Sequence, residues 1–140
     1  MDDFFSDTNP TAPILLADDD PEDRIIIQSI FADLGRADWL HFVTSGEAAI
    51  CYLSSLTLAK KLPNLIVLDM KMPLMSGTET LRTIKSMTNF KHIPVVIYST
   101  SMHKPEAREC EKLGAIAYIV KPSSYADCLK TAHYFCGFCE

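Results

Sequence analysis

Leu65-Ile66-Val67-Leu68-Asp69-Met70-Lys71-Met72-Pro73 is the stretch that decides the fold. Four consecutive apolar residues, set off by Pro63-Asn64 and stopped by a carboxylate, match a short strand buried on both faces. Such a strand needs helices above and below it, so the flanking sequence should alternate between strands and amphipathic helices. Upstream, Ile14-Leu15-Leu16-Ala17 is a second apolar run that stops at Asp18-Asp19-Asp20, and a third short strand spans Leu40 to Val43. Downstream, Pro94-Val95-Val96-Ile97-Tyr98 closes on Ser99-Thr100-Ser101, and Ala117 to Val120 ends on Lys121-Pro122.

Helices fill the intervals. Asp20-Pro21-Glu22-Asp23 supplies an N-cap acceptor, a first-turn proline and carboxylates at the positive end of the dipole. Ile25, Ile26, Ile30, Phe31 and Leu34 are expected to form the apolar face of that helix, with Gly35 ending it. Ser45 is placed to cap a second helix whose buried face is Ala48, Ala49, Tyr52, Leu53 and Leu56. A loop from Met70 to Gly77 precedes a third helix bearing Leu81, Ile84 and Met87. Pro105 opens a fourth that ends at Leu113-Gly114, and Ser124 to about Phe135 forms the last. Five strands alternating with five helices predict an α/β fold, a doubly wound parallel sheet in which right-handed crossovers leave few topologies. Extra residues near Ser54 to Lys61 predict a longer second helix or loop and a candidate partner surface.

At 140 residues the chain is sized for one domain, and 48% hydrophobic with 22% charged residues is ordinary for a globular protein. No run approaches the roughly 18 apolar residues of a membrane span. The acidic, polar start MDDFFSDTNP lacks the basic and apolar regions of a secretory signal. It is expected to be a flexible leader over residues 1–11 ahead of a domain over 12–140, in a cytoplasmic protein. A net charge of −5 with no Lys/Arg cluster disfavours direct nucleic-acid binding. Five cysteines, at 51, 110, 128, 136 and 139, fit a reducing compartment rather than a disulfide framework. Cys136-Gly137-Phe138-Cys139 follows a helix, whereas a redox pair needs the start of one. The histidines at 41, 92, 103 and 133 have no metal-ligand spacing.

In an open α/β sheet the ligand site lies beyond the carboxyl ends of the strands. The residues there are Asp18, Asp19, Asp69, Ser99 and Lys121. Singly each has an ordinary reading: a helix start, a turn former, a loop hydroxyl, a surface lysine. Asp20 is only an N-cap. Together they are a constellation, since crowded carboxylates repel unless a cation neutralises them. Oxygen ligation with few protein groups suits Mg²⁺, while a lysine and a hydroxyl suit a phosphoryl group. The inferred chemistry is phosphoryl transfer onto a carboxylate beside Mg²⁺.

Leu15-Leu16-Ala17-Asp18-Asp19-Asp20 and Leu65 through Gly77 resemble the two acidic signatures of response-regulator receivers of two-component systems. Pro94 to Ser99 and Tyr118-Ile119-Val120-Lys121-Pro122 resemble the other two, and the resemblance covers roughly residues 12–136. It implies a flavodoxin-like sheet of order 2-1-3-4-5 and a stand-alone receiver that is a signalling switch rather than an enzyme. Asp69 would accept a phosphoryl group from a sensor histidine kinase or histidine phosphotransfer protein. Asp18, Asp19 and Asp69 would hold Mg²⁺ with the Lys71 backbone carbonyl, and Lys121 would pair with the phosphoryl group. The Lys121–Pro122 bond is expected to be cis. Ser99 and Tyr118 would be the switch residues, carrying the change to the surface around the fourth and fifth helices and a downstream protein effector. Monomers and homodimers are both compatible with the resemblance.

Ser99 stands where Thr is frequent, and Thr100 follows it where a small residue is common. Lys71 and Ser101 are expected to tune the lifetime of the phosphoryl group. Three rivals remain: a pseudo-receiver that binds proteins without phosphorylation, a haloacid-dehalogenase-like phosphatase, and a thioredoxin-like oxidoreductase. The phosphatase needs a second Asp where Lys71 stands, and the oxidoreductase needs differently placed cysteines.

Overall fold

The computed structural model describes residues 12–56 and 61–140. The elements are β1 (Ile14–Ala17), α1 (Pro21–Asp33), a 3₁₀ turn (Ala37–Trp39), β2 (Leu40–Val43), α2 (Gly46–Ser55), β3 (Leu65–Asp69), α3 (Gly77–Ser86), β4 (Val95–Ser99), α4 (Lys104–Lys112), β5 (Ala117–Val120) and α5 (Tyr125–Cys136). All adjacent strands pair in parallel, in the order β2-β1-β3-β4-β5. This is the doubly wound parallel sheet that the alternation predicts, in the flavodoxin-like order that the resemblance implies.

The two-residue period of the strands sorts their side chains between two cores. Leu15, Ala17, Ile66 and Leu68 face α2, α3 and α4 through Ala49, Leu53, Leu81, Ile84 and Cys110. Ile14, Leu16, Leu65 and Val67 face α1 and α5 through Ile27, Ile30, Phe31, Ala132 and Phe135. Every residue of β1, β3 and β4 is buried, which is why these strands read as unbroken apolar runs.

Capping starts the helices where the sequence predicts. Asp20 accepts from the Glu22 amide ahead of Pro21, Ser45 from Ala48, and Ser124 from Asp127. Ser76 and Glu79 form a reciprocal capping box at the start of α3. Gly35, at φ +72°, ends the turn after α1 in the left-handed region that glycine enters without cost.

Two expectations are corrected. Ile25 and Ile26 are 61% and 51% exposed, and Ile27 takes the core position instead. Ile27 lies three residues before Ile30 and four before Phe31, so it sits beneath both; Ile26 is rotated to the flank. The Lys121–Pro122 bond is trans, as there is no cis peptide among the described residues. An X-Pro amide prefers trans by only about 0.5–1 kcal/mol, so local packing selects the isomer. α2 ends at Ser55. The leader over 1–11 and half of the expected insertion, residues 57–60, lie outside the described residues.

Candidate functional site

The strands end nearly level, with Ala17 beside Val43 and Leu68, Asp69 beside Tyr98, and Ser99 beside Val120. The next residues therefore emerge along one edge. Carboxylate oxygens of Asp18, Asp19 and Asp69 all lie within 4.8 Å of one another. Asp18 and Asp69 are buried, while Asp19 opens to solvent.

Backbone groups hold this acidic cluster in place. Asp18 Oδ1 accepts from the Asp20 amide at 2.9 Å, and the Asp18 carbonyl accepts from Arg24 Nη1 at 2.9 Å. The loop after Asp69 is clamped by the Gly77 amide, which donates to the Met70 carbonyl at 2.9 Å. A Cβ on Gly77 would stand 2.5 Å from the Asp69 carbonyl oxygen, so the start of α3 can press against the loop only without a side chain. Within that loop, the Met75 amide bonds the Pro73 carbonyl at 2.7 Å across Leu74, which adopts φ +69°.

Lys121 crosses from the end of β5 into the cluster. Its ammonium donates to Asp23 Oδ2 at 2.8 Å and Asp18 Oδ2 at 2.9 Å, and lies 3.5 Å from Asp69 Oδ1. The face of the Tyr98 ring lies 5.5 Å from the same nitrogen. Its backbone amide donates to the Ser99 carbonyl at 2.7 Å, which ties β5 to the serine at the end of β4. Ser99 is buried and its hydroxyl accepts a long bond, 3.4 Å, from the Ser101 amide. The Tyr118 hydroxyl donates to the Ser101 carbonyl at 3.1 Å, so the tyrosine of β5 is fastened to the loop that follows Ser99.

Charge crowding sets the electrostatics. Burial, opposed by Lys121 and reinforced by Asp18, pushes the Asp69 carboxyl up to about 6. Burial works against the Lys121 ammonium, yet the bonds from Asp23 and Asp18 outweigh it and hold its pKa above the usual lysine range. Together, three carboxylates with an all-oxygen donor set beside a solvent-open cleft fit a hard divalent cation that keeps several waters. That cleft, about 570 Å³, is lined by Asp19, Lys71, Met72, Pro73, Thr78 and Glu106 among others. Among the described residues no other group of three or more His, Cys, Asp and Glu side chains converges in this way.

Asp18, Asp19, Asp69, Ser99 and Lys121 thus reach the same edge and Lys71 lines the cleft, whereas Tyr118 lies within β5 and meets the site only through the loop after Ser99. Asp23, Arg24, Gly77 and Tyr98 also build the site, though the sequence does not single them out. By sequence Asp23 is only a first-turn carboxylate; its place five residues after Asp18, on a helix entering from the site loop, is the signal that marks it. The cysteines and histidines do not enter the acidic cluster. All five cysteines are free, and burial pushes the Cys139 thiol up to about 11, away from redox reactivity. His41 stacks on Tyr52 with ring centroids 3.9 Å apart.

A family model described as the response regulator receiver domain matches residues 14–133. The chain belongs to the response regulator receiver family. It is 34% identical over 126 residues to the two-component response regulator ARR7 of Arabidopsis thaliana, covering 86% of this chain and 60% of that protein. The chain therefore spans less than two thirds of that relative. The phosphorylated cyanobacterial phytochrome response regulator RcpA has a crystal structure similar to this receiver at a TM-score of 0.79 and 28% identity, over 91% of this chain and 93% of that one. The Mn²⁺-bound form of response regulator Rcp1 is similar at a TM-score of 0.73 and 28% identity, over 89% and 91% of the two chains. The phosphatase and thioredoxin readings fall with this membership. Like its family, the receiver is a signalling domain with an acidic pocket, and no helix among its described residues is long and apolar enough to cross a membrane.

Proposed function

We propose that this receiver is a Mg²⁺-dependent phosphorylation switch whose phosphoacceptor is Asp69. The observation that carries the reading is the convergence of three carboxylates within 4.8 Å of one another beneath the Lys121 ammonium. Asp18, Asp19 and Asp69, with the Lys71 backbone carbonyl, are the residues to hold the cation. When bound, Mg²⁺ supplies positive charge that keeps Asp69 ionised and screens the incoming phosphoryl oxygens. One Asp69 oxygen attacks the phosphorus of a phosphohistidine; the P–N bond breaks and its electron pair returns to the imidazole, which takes up a proton. Lys121 then pairs with the phosphoryl group, and Ser99 donates to one of its oxygens.

The bond from Tyr118 to Ser101 offers the outward route, because a Ser99 that moves toward the phosphoryl group draws on the loop that holds the tyrosine. The donor is a histidine kinase or histidine phosphotransfer protein, the receiver an effector protein's partner in the cytoplasm, and residues 12–140 the functional unit behind a leader over 1–11. The phosphorylated state named for RcpA and the Mn²⁺ named for Rcp1 support the same reading for this relative of theirs.

Incubation with acetyl phosphate, with and without Mg²⁺, tests it by intact mass. Addition of one phosphoryl group that requires Mg²⁺ and disappears in Asp69→Asn is the expected result. No addition from acetyl phosphate or from a phosphorylated kinase would sink the reading in favour of the pseudo-receiver. Lys71 is exposed at the cleft, and Lys71→Asn is expected to change the dephosphorylation rate; an unchanged rate removes its tuning role.

A further inference from the structure

Lys121 is shared among more carboxylates than phosphoryl binding needs. Its shortest contact is to Asp23, at 2.8 Å, and Asp23 is outside the trio close enough to hold a cation together. Asp18, inside the trio, has both oxygens engaged: Oδ1 by the Asp20 amide and Oδ2 by Lys121. A cation that takes Asp18 thus competes directly with an ammonium. Lys121 is only 10% exposed, so an ammonium stripped of Asp18 and given no other partner would be a buried, uncompensated charge. Such a lysine would fall back on Asp18 and Asp69 and repel the cation.

We infer that Asp23 is a positioning residue for the cation site, holding Lys121 aside so that ammonium and cation occupy the pocket together. The inference rests on the assignment of Asp18, Asp19 and Asp69 as cation ligands. It differs from the ordinary role of a first-turn carboxylate, which serves the helix dipole through its charge alone. Glu22, the neighbouring first-turn carboxylate of α1, is exposed and supplies the control for charge alone.

Mn²⁺ binding, measured by electron paramagnetic resonance of the free ion, tests this in wild type, Asp23→Asn, Glu22→Gln, Lys121→Gln and the double variant Asp23→Asn/Lys121→Gln. Thermal melts in the absence of metal establish that each is folded, with Asp23→Glu as a second variant that can restore the contact. Asp23→Asn is expected to weaken Mn²⁺ binding at least about fivefold, and to have no effect once Lys121 is Gln. Glu22→Gln should change affinity less than about twofold, and Asp23→Glu should lose less than Asp23→Asn. Wild-type affinity in Asp23→Asn, or an equal loss in both lysine backgrounds, overturns the inference; the second result would make Asp23 a ligand or a through-space charge. Failure of the underlying ligand assignment is distinguished by the wild type itself, which would then bind no Mn²⁺ or bind it equally well in Asp18→Asn.

Discussion

At the scale of single residues, Asp69 is held in a state that costs stability until something neutralises it. Its folded pKa of about 6 lies above the ordinary 3.8, so the stability it contributes is present below the ordinary value and lost as pH rises through about 6. Ionised Asp69 therefore destabilises the metal-free protein at neutral pH. Asp69→Asn should raise unfolding free energy by about 1–3 kcal/mol at pH 7.5 in chelator, and the gain should vanish below about pH 4. Urea denaturation at the two pH values checks both the size and the sign. Gly77 makes a second prediction. Its missing side chain leaves room for the Asp69 carbonyl, so Gly77→Ala must push the loop and should cost about 1–3 kcal/mol in thermal unfolding. The same variant should also slow phosphorylation by acetyl phosphate, because the carboxylate moves with its backbone. Of these residues the sequence displays Asp18, Asp19, Asp69, Ser99 and Lys121 because each closes a strand or falls within two residues of its end. Asp23 and Gly77 act through a bond and a clearance between distant segments, and such contacts have no local signature.

Among elements, α1 shows where periodicity stops informing. Ile25-Ile26-Ile27 is an unbroken apolar run, so any of three helical phases satisfies the pattern, and the choice falls to packing against Ile30 and Phe31. Ile27→Ala should then cost about 2–5 kcal/mol, as buried isoleucines do, while Ile26→Ala should cost under about 0.5 kcal/mol. Chemical denaturation of the pair separates the two phases directly. Helix starts were legible for the opposite reason: a cap is a local hydrogen bond between near neighbours, and Asp20, Ser45 and Ser124 each make it. Ser76→Ala removes one half of the α3 box and should cost about 1 kcal/mol by the same assay.

For the whole molecule, the alternation of strands and helices predicts a parallel sheet, which brings five strand ends to one edge however the loops are built, whereas the strand order is legible only through the resemblance to receivers. A cation bound at that edge links the first and third strands. Mg²⁺ at about 100 times its dissociation constant should add about 2.7 kcal/mol to unfolding, roughly 5–15 °C in melting temperature. Asp18→Asn should abolish most of that rise in a thermal melt with and without the ion. The opposite pole of the sheet is closed differently: the Asn64 amide donates to the Pro13 carbonyl at 2.8 Å, and the Asn64 side chain to the Phe138 carbonyl at 3.2 Å. Asparagine 64 thus gathers the approach to the first strand and the segment after the last helix at the end farthest from the carboxylates. A fluorescent reporter or surface anchor placed at Asn64, or beside Phe138, would thus leave the acidic cleft facing freely into solution.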